Sequence, residues 1–479
     1  MRKTFITNLI LMLGVNLLIK PFWILGIDRV VQNKLGFDVY GQYYILFNFA
    51  LLLSVLLDFG IASYTTSSLA RNPNLLEKQF PALLTVKIIF SGIYLLATLI
   101  LAIVLNFDSS IWYLVFMLAI NQILSFFHIY FRSTISGLQL FKTDSLFSVL
   151  DKFLMIVLCV VLIWGNVFEL TILNFIYAQT LAYFLSALAS FLFVRTKLTY
   201  IQLSFDKATL WQVYKQTAPY ALLALIMTLY TRTDNILIGK LLPDGDYHDG
   251  IYALGYRLLE AANMFAALVS MLLLPIFSKM IAEKQKLMPI IELALGLMVA
   301  PGLIFGVACF SFQSEIMLLL SPNATNYAIS VFGYVILCFI PLTFMYIFGT
   351  LLTANTSLKT LNILAAIAFA INFILNLILI PKYQALGAAY AAIITQGFIG
   401  LTNTIYAHKI LKLPYNLMLY FKLLILLVLV ILAATICKTY TIALIPSLIV
   451  LGFVGFLTIF VFKLLDIKQL NVLLKSRFN

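Results

Sequence analysis

Charged residues are scarce in this chain. Asp, Glu, Lys and Arg make up 10% of its 479 residues, whereas hydrophobic residues make up 63%. A soluble domain is about 45 to 50% apolar, so this composition excludes an ordinary water-soluble protein. Cysteine is scarce as well: the four cysteines occur singly, and neither a disulfide framework nor a metal site is expected. Because the chain also lacks a phosphate-binding Gly-rich loop, a zinc-protease helix and a nucleophile elbow, it shows no sign of an enzyme.

Long apolar runs fill most of the sequence. A membrane span needs about 20 mostly apolar residues, and about fourteen such stretches are present. They lie at 5–27, 42–63, 81–105, 111–131, 145–165, 170–194, 217–237, 251–277, 288–310, 327–351, 361–380, 386–407, 417–436 and 442–462. The sequence therefore predicts an all-α polytopic membrane protein with about 14 transmembrane helices.

The basic residues are distributed unevenly between the loops. The formal net charge is +13, which by itself would allow nucleic-acid binding. The Lys and Arg residues, however, fall in alternate loops, as expected when positive loops stay in the cytoplasm. This pattern predicts cytoplasmic N- and C-termini and no nucleic-acid partner.

Two segments recur along the chain. Segment 34–43 has a counterpart in 240–252: each has a basic residue that closes one span, then a glycine and an aromatic residue that open the next. Segment 137–142 similarly matches 354–359. An internal repeat of this kind is common in transporters. It predicts a six-helix lobe at 1–205, a second six-helix lobe at 206–412, and an additional helix pair with a cytoplasmic tail at 413–479.

Three cations lie inside the apolar stretches: Lys20, Arg232 and Arg257. A cation at this depth costs about 3 kcal/mol, so it persists mainly where it lines a polar cavity or has a partner. Asn16 shares a helix face with Lys20, and Asn235 with Arg232. These five residues are the candidate substrate-binding residues, and a cationic interior suggests an anionic cargo. The alternatives are a snorkelling Lys20 and purely structural ion pairs of the arginines.

Five further polar residues at depth are candidates for ion coupling or ion pairing: Asp58, Asp151, Asp234, Glu260 and His128. Burial raises the pKa of a carboxyl group, so such acids could titrate during transport. The alternatives are a capping role for Asp58, an Asp234 to Arg257 pair, and a hydrogen-bonding role for His128.

Four charged residues near the predicted span ends are expected to reach the cytoplasmic surface by snorkelling. They are Lys87, Arg132, Glu292 and Lys422. The acidic loop 244–249 misses the calcium-loop template, because it is followed by Gly250 and lacks the bidentate Glu. No metal site is expected.

Several motifs together resemble one protein family. They are Leu35-Gly36 with Tyr40-Gly41-Gln-Tyr43, Asp58-Phe-Gly60, Tyr230-Thr-Arg232-Thr-Asp234, Gly250-Ile-Tyr252-Ala253, Tyr256-Arg257-Leu-Leu-Glu260, Leu274-Pro275 and Leu386-Gly387-Ala388-Ala389-Tyr-Ala391. In these motifs the chain resembles the polysaccharide biosynthesis proteins, which act as O-antigen or lipid-linked oligosaccharide flippases. They belong to the multidrug, oligosaccharidyl-lipid and polysaccharide exporter superfamily.

The resemblance implies a V-shaped pair of lobes in a bacterial inner membrane, which alternate between inward-open and outward-open states. The implied cargo is a glycan on a polyprenyl pyrophosphate, and the implied cationic cavity contains Arg232, Arg257 and Lys20. The terminal helix pair is similar to that of lipid II flippases, where it forms a groove for the lipid tail. Membrane lipids and glycan polymerase machinery are the expected partners. No cofactor is expected, while proton or sodium coupling stays open. The alternative function is cation-coupled multidrug efflux.

Overall fold

A computed structural model describes residues 14–16, 18–165, 168–199 and 207–464. Helix is the regular secondary structure of these residues, and no strand occurs among them. The prediction of an all-α protein is therefore confirmed. The chain divides into two compact units, Met1–Gly250 and Ile251–Asn479. The three-part division of the sequence into two lobes and a helix pair stays a prediction.

The first unit begins with helical residues 14–16 and 18–22 and a π-helical turn at Trp23–Asp28. Its α-helices are α1 (Arg29–Leu35), α2 (Phe37–Leu52), α3 (Val55–Asp58), α4 (Ile61–Arg71), α5 (Leu76–Val104), α6 (Trp112–Gly137), α7 (Phe141–Trp164), α8 (Ile172–Arg195) and α9 (Lys207–Leu241). Short 3-10 turns at Pro73–Leu75 and Ser109–Ile111 precede α5 and α6. The next helix, α10 (Gly245–Ala282), contains the boundary between the units.

The second unit continues with ten more helical segments. They are α11 (Met288–Ala294), a π-helical turn (Leu295–Val299), α12 (Ala300–Ser311), α13 (Gln313–Leu320), α14 (Asn326–Leu337), α15 (Phe339–Ala354), α16 (Leu358–Tyr383), α17 (Ala385–Ile410), α18 (Leu417–Thr439) and α19 (Leu444–Val461). The terminal pair, α18 and α19, packs on α12. Gly455 permits this contact, because a side chain there would overlap the side chain of Ile304.

Eleven stretches of the described residues are long and apolar enough to cross a membrane. The sequence predicted about fourteen, and the differences have local causes. The first predicted span begins in residues outside the described ranges, and the second is divided among the short helices α2, α3 and α4. The eighth lies within α10, several of whose side chains lie outside the described residues. The chain is a multi-pass membrane protein, and the count of about fourteen spans stays a prediction.

Helix packing in the first unit places α6 at the centre. It contacts α8 on one side and α4 on another, while α7 packs against α8 and α9 against α2. Aromatic rings fill the core between α5, α6 and α8, including Phe80, Tyr130, Phe131 and Phe191. This arrangement brings the polar residues of the first helix, α6 and α7 to the same side of the unit.

The turns after α6 and α15 have the same hydrogen bonds. In one, Leu140 N donates to Ile135 O and Gln139 has a φ of 60°. In the other, Ser357 N donates to Leu352 O and Thr356 has a φ of 57°. These are the two loops that matched in the sequence. The same closure also ends other helices of the chain, so it is not by itself a sign of a repeat.

Candidate functional site

A group of charged side chains lies at membrane depth in the first unit. Asn16 fixes the alignment of two helices, since its Nδ2 donates to Ser148 Oγ in α7 at 2.8 Å. One turn further along each helix, Lys20 interacts electrostatically with Asp151 and Lys152. Electrostatic interactions also connect Lys20 to Arg132 in α6. The register of one buried hydrogen bond therefore assembles charges from three helices.

Lys152 is the best-packed cation of this group. Its Nζ lies 3.4 Å from Asp151 Oδ2 and 3.2 Å from the hydroxyl of Tyr183. The same ammonium group lies over the ring of Tyr183 and over that of Trp23, at 5.1 and 5.9 Å from the centroids. Trp23 belongs to the π-helical turn that follows Lys20, and it stacks on Phe175 of α8. Cation–π contacts and one carboxylate thus hold Lys152 in place.

Lys20 differs from Lys152. It is half-buried, and its ammonium group has no hydrogen bond and no ion pair within the described residues. Its nearest charges are those of Asp151, Arg132 and Lys152, of which two are positive. A cation in this position retains the capacity to bind an anion.

Arg132 and Asp144 complete the group. Arg132 Nε lies 3.0 Å from Asp144 Oδ1, and both side chains are mostly buried. The turn between α6 and α7 brings this acid beside Arg132, while the expectation that Arg132 snorkels to the cytoplasmic surface stays a prediction. We call Lys20, Arg132, Asp144, Asp151 and Lys152 the cationic cluster, since it has three cations and two carboxylates. Its side chains remain partly accessible at a depth where charges are costly.

His128 borders the cationic cluster. Its Nε2 lies 3.0 Å from the carbonyl oxygen of Phe147, and its Nδ1 lies 3.1 Å from that of Ser186 and 2.8 Å from Ser190 Oγ. A neutral imidazole donates one of these bonds, whereas a protonated one donates to both carbonyls. The ring joins α6, α7 and α8 in either state.

The other predicted cations lie elsewhere. Arg232 donates to Asn48 Oδ1 of α2 at 3.0 Å. In the second unit, Arg257 forms an ion pair with Glu260, three residues further along α10, with 2.9 Å between nitrogen and oxygen. Both arginines are half-buried.

Two predicted residues beside Arg232 are buried. Asp234 is 4% exposed, and Asn235 is fully enclosed. Asn235 Nδ2 donates to Asp249 Oδ1 at 2.8 Å, so it joins α9 to the first turn of α10. Its amide is engaged in this structural contact.

The second span is interrupted beside Asp58. The backbone turns left-handed at Phe59 and Gly60, with φ values of 43° and 81°. Asp58 accepts from Gly60 N and Ala62 N, and so caps α4. Its carboxylate also lies 3.7 Å from Lys87 Nζ.

Lys87 does not snorkel, contrary to the sequence expectation. It is 1% exposed, and its Nζ donates to the carbonyl oxygen of Leu57 at 2.7 Å. The rings of Phe126 and Tyr130 lie at 6.0 and 5.6 Å from the ammonium group. The interrupted helix leaves carbonyl groups without helical partners, and Lys87 satisfies one of them.

The two repeated segments 34–43 and 240–252 contact each other. A side chain at Gly41 would overlap the carbonyl oxygen of Asp246, and one at Gly250 would overlap that of Phe37. The two contacts are symmetric: Gly41 lies four residues after Phe37, which Gly250 contacts, and Gly250 lies four residues after Asp246, which Gly41 contacts. In addition, Gln32 Nε2 donates to Gly250 O at 2.7 Å. Two helix starts cross here at backbone distance, which only glycine allows.

Acidic groups surround this crossing. Asp249 is fully buried, and its Oδ2 has no hydrogen bond within the described residues. Burial raises the pKa of Asp249 well above its usual range. The hydrogen bond from Asn235 lowers this pKa, whereas the charges of Asp246 and Asp234 raise it further. The pKa of Asp246 is also raised, mainly by burial and to a smaller extent by the charge of Asp38. A neutral Asp249 side chain is therefore favoured.

The fold and the site together define a helical membrane protein with a charged interior, which is the organisation of a transporter. The sequence matches the family described as polysaccharide biosynthesis protein over residues 6–281. The chain belongs to this family, which confirms the resemblance noted from its motifs. No curated protein matches the chain in sequence.

Solved structures share the fold. A structure of the lipid II flippase MurJ in an inward closed conformation has a TM-score of 0.69 at 15% identity, over 95% of this chain and 97% of that one. An inward-facing multidrug resistance MATE family transporter of the MOP superfamily has a TM-score of 0.54 at 15% identity, over 84% and 94%. A MOP superfamily transporter from Pyrococcus furiosus has a TM-score of 0.56 at 15% identity, over 85% and 94%.

Proposed function

We propose that this protein is a flippase that moves a polyprenyl-pyrophosphate-linked oligosaccharide from the cytoplasmic to the outer leaflet by alternating access. The observation that carries the proposal is Lys20, a cation at membrane depth in a net positive cluster, with no hydrogen bond or ion pair among the described residues. Such a site suits an anionic ligand. Family membership supports a cargo from polysaccharide biosynthesis.

The chemistry of the cargo requires a polar path. Moving one hydroxyl group from water into an alkane costs about 4 to 8 kcal/mol, so an oligosaccharide cannot cross hydrocarbon unaided. A charged interior supplies that path, while the prenyl tail stays in lipid. Lys20 would meet the pyrophosphate, and Arg232 and Arg257 would add guanidinium groups that can bind phosphate oxygens in pairs.

Three energy sources suit this cargo. A membrane potential that is negative inside favours outward movement of negative charge by about 2.3 kcal/mol per charge per 100 mV. Proton or sodium coupling would require a titrating or cation-binding group near the cargo. Asp151 is the best-placed candidate because it interacts with Lys20, and His128 borders the same cluster.

The cargo would be an O-antigen, capsule or similar repeat unit, and glycan polymerase machinery would receive it. The protein would lie in a bacterial inner membrane with both termini in the cytoplasm. The excess of Lys and Arg in alternate loops supports this orientation.

Cation-coupled multidrug efflux is the alternative function. The fold likeness to the MATE family transporter favours it. The charge of the cationic cluster opposes it, because a cationic drug would be repelled by three cations that outnumber two carboxylates. The lipid-linked glycan is therefore the cargo that the site supports best.

Complementation tests the function in cells that lack the gene. Lys20→Ala, Arg232→Ala and Arg257→Ala, at unchanged expression, should abolish surface glycan while lipid-linked precursor accumulates on the cytoplasmic side. Lys409→Ala is the matched control, since Lys409 is exposed and lies outside the interior. Normal surface glycan in all three interior variants would contradict the proposal, as would export of a cationic dye that depends on Lys20.

A further inference from the structure

An open recess of about 80 Å³ lies in the second unit, where α18 begins and α19 has ended. It is separate from the cationic cluster, which belongs to the first unit. Its lining includes Glu292 from α11, Asn416, Met418, Leu419 and Lys422 from the start of α18, and Lys463 just after α19. Two cations and one carboxylate therefore face a single cavity.

The cations of the recess are available to a ligand. Lys422 is half-buried, and neither it nor Lys463 has a hydrogen bond or an ion pair within the described residues. Lys463 is exposed and lies in the turn that closes α19, where its φ is 51°. A lysine that only snorkels would extend into solvent, whereas Lys422 lines a cavity.

The carboxylate of the recess is already engaged. Asn416 Nδ2 donates to Glu292 Oε1 at 2.7 Å. The Oδ1 of the same amide accepts from Leu419 N at 3.2 Å and so caps α18. The positive end of the α18 dipole adds to the two lysines. The balance of charge in the recess is positive.

The surroundings of the recess are apolar and exposed. Leu417, Met418 and Phe421 are 75%, 61% and 55% exposed on α18, as expected for side chains that face lipid tails. The recess thus joins a lipid-facing surface to a cationic cavity. It lies on the side that the distribution of Lys and Arg predicts to be cytoplasmic, where basic pockets between spans bind anionic headgroups.

We propose that this recess binds a phosphate group carried by a lipid, with Lys422 and Lys463 as its ligands and the acyl or prenyl chains against α18. Two lipids carry this chemistry: an anionic phospholipid of the membrane and a polyprenyl phosphate. A phospholipid would be a resident ligand whatever the cargo is. The polyprenyl phosphate rests on the proposed function, since it would make the recess a first docking site for the lipid carrier.

Native mass spectrometry of the full chain in detergent tests the proposal. Phosphatidylglycerol, undecaprenyl phosphate or phosphatidylcholine is added, and the bound fraction is measured for each. Lys422→Gln/Lys463→Gln should weaken binding of the anionic lipid about tenfold or more, because each lysine near an anionic surface contributes about 1 kcal/mol. Glu292→Gln should strengthen it, because the repelling carboxylate is removed.

Lys409→Gln/Lys412→Gln is the matched control. It removes the same charge on the same predicted side, and Lys412 shares the φ of 51° found at Lys463. Preferential retention of phosphatidylglycerol would assign a resident phospholipid, and retention of undecaprenyl phosphate alone would assign the lipid carrier. Equal loss in both double variants, or equal retention of phosphatidylcholine, would overturn the site. This experiment measures lipid binding and not transport. If the recess binds no lipid, the transport assay still tests the flippase function separately.

Discussion

Two lysines at membrane depth in the first unit have opposite surroundings. Lys87 is enclosed, and a carbonyl group, a carboxylate and two aromatic rings satisfy its charge. Lys20 is half-buried, and its nearest charges belong to the cationic cluster, where positive charge predominates. At similar depth, the fold therefore satisfies the charge of Lys87 but leaves that of Lys20 without a hydrogen bond or ion pair among the described residues.

Partners and exposure together distinguish structural from functional charges. A buried cation is costly without partners, so a fully partnered one indicates a contribution to the fold. A partly accessible cation without a partner would be selected against unless something else binds it. By this criterion Lys87 contributes to the fold, whereas Lys20 is the residue for which we propose a role in binding the cargo.

Removal of Lys87 should have the largest effect. In Lys87→Ala, the buried Leu57 carbonyl and the Asp58 carboxylate lose their partner beside an interrupted helix. We expect a loss of about 3 kcal/mol, at the lower end for buried pairs because the carboxylate is 22% exposed. Thermal unfolding in detergent measures it, with Lys409→Ala as the exposed control. Unchanged stability of Lys87→Ala would break the comparison.

In contrast to Lys87→Ala, Lys20→Gln should reduce transport and not stability. The variant should unfold at the temperature of the unchanged protein, or slightly above it, because a half-buried charge is removed. Transport of the lipid-linked glycan should fall about tenfold to a hundredfold, the effect of losing one hydrogen bond to a charged group. Lys20→Arg should restore part of it. If Lys20→Gln loses both stability and transport, Lys20 has a structural role like that of Lys87.

Gly41 extends the comparison to the backbone. In Gly41→Ala, the new methyl group overlaps the Asp246 carbonyl, so the crossing must separate, at a cost of about 1 to 3 kcal/mol. Gly92→Ala is the control: nothing lies within 4 Å of its new methyl group, and alanine should stabilise the α5 helix by about 0.5 to 1 kcal/mol. Thermal unfolding of both variants should move in opposite directions. A shift in the same direction would contradict the close crossing.

Asp249→Asn should have the smallest effect of the four variants near pH 4, and it should be the more stable protein at neutral pH. Burial raises the pKa of Asp249, so the folded state favours the protonated carboxyl, which asparagine imitates. The unchanged protein should lose stability as pH rises above the ordinary carboxyl pKa of about 3.9 towards the raised value. The variant should lack this part of the pH dependence. Identical stability profiles from pH 4 to 8 would exclude a raised pKa.

The sequence predicted the all-helical fold and the presence of charges at depth, because both follow from composition and period. The face shared by Asn16 and Lys20 was visible from their spacing. Lys152 and Asp144 were missed as site residues, since their role depends on the register between helices. That register rests on the Asn16 to Ser148 bond, which no local pattern reveals.

The error at Lys87 has a similar origin. Counting residues from a span end places it near the surface, where snorkelling is the rule. The structure instead interrupts the second span at Phe59 and Gly60 and directs a free carbonyl towards the lysine. Asp58-Phe-Gly60 was the sequence signal for this interruption, but its partner in α5 could be recognised only from tertiary contacts.

We propose that Lys20 contributes to the binding of an anionic lipid-linked cargo. The most direct measurement is translocation of a polyprenyl-pyrophosphate oligosaccharide in proteoliposomes that contain the unchanged protein or Lys20→Gln. We predict that the unchanged protein exposes the glycan on the opposite leaflet. Lys20→Gln, equally folded and equally inserted, should do so at a rate about tenfold lower, or lower still. Equal rates for the two proteins would contradict the claim.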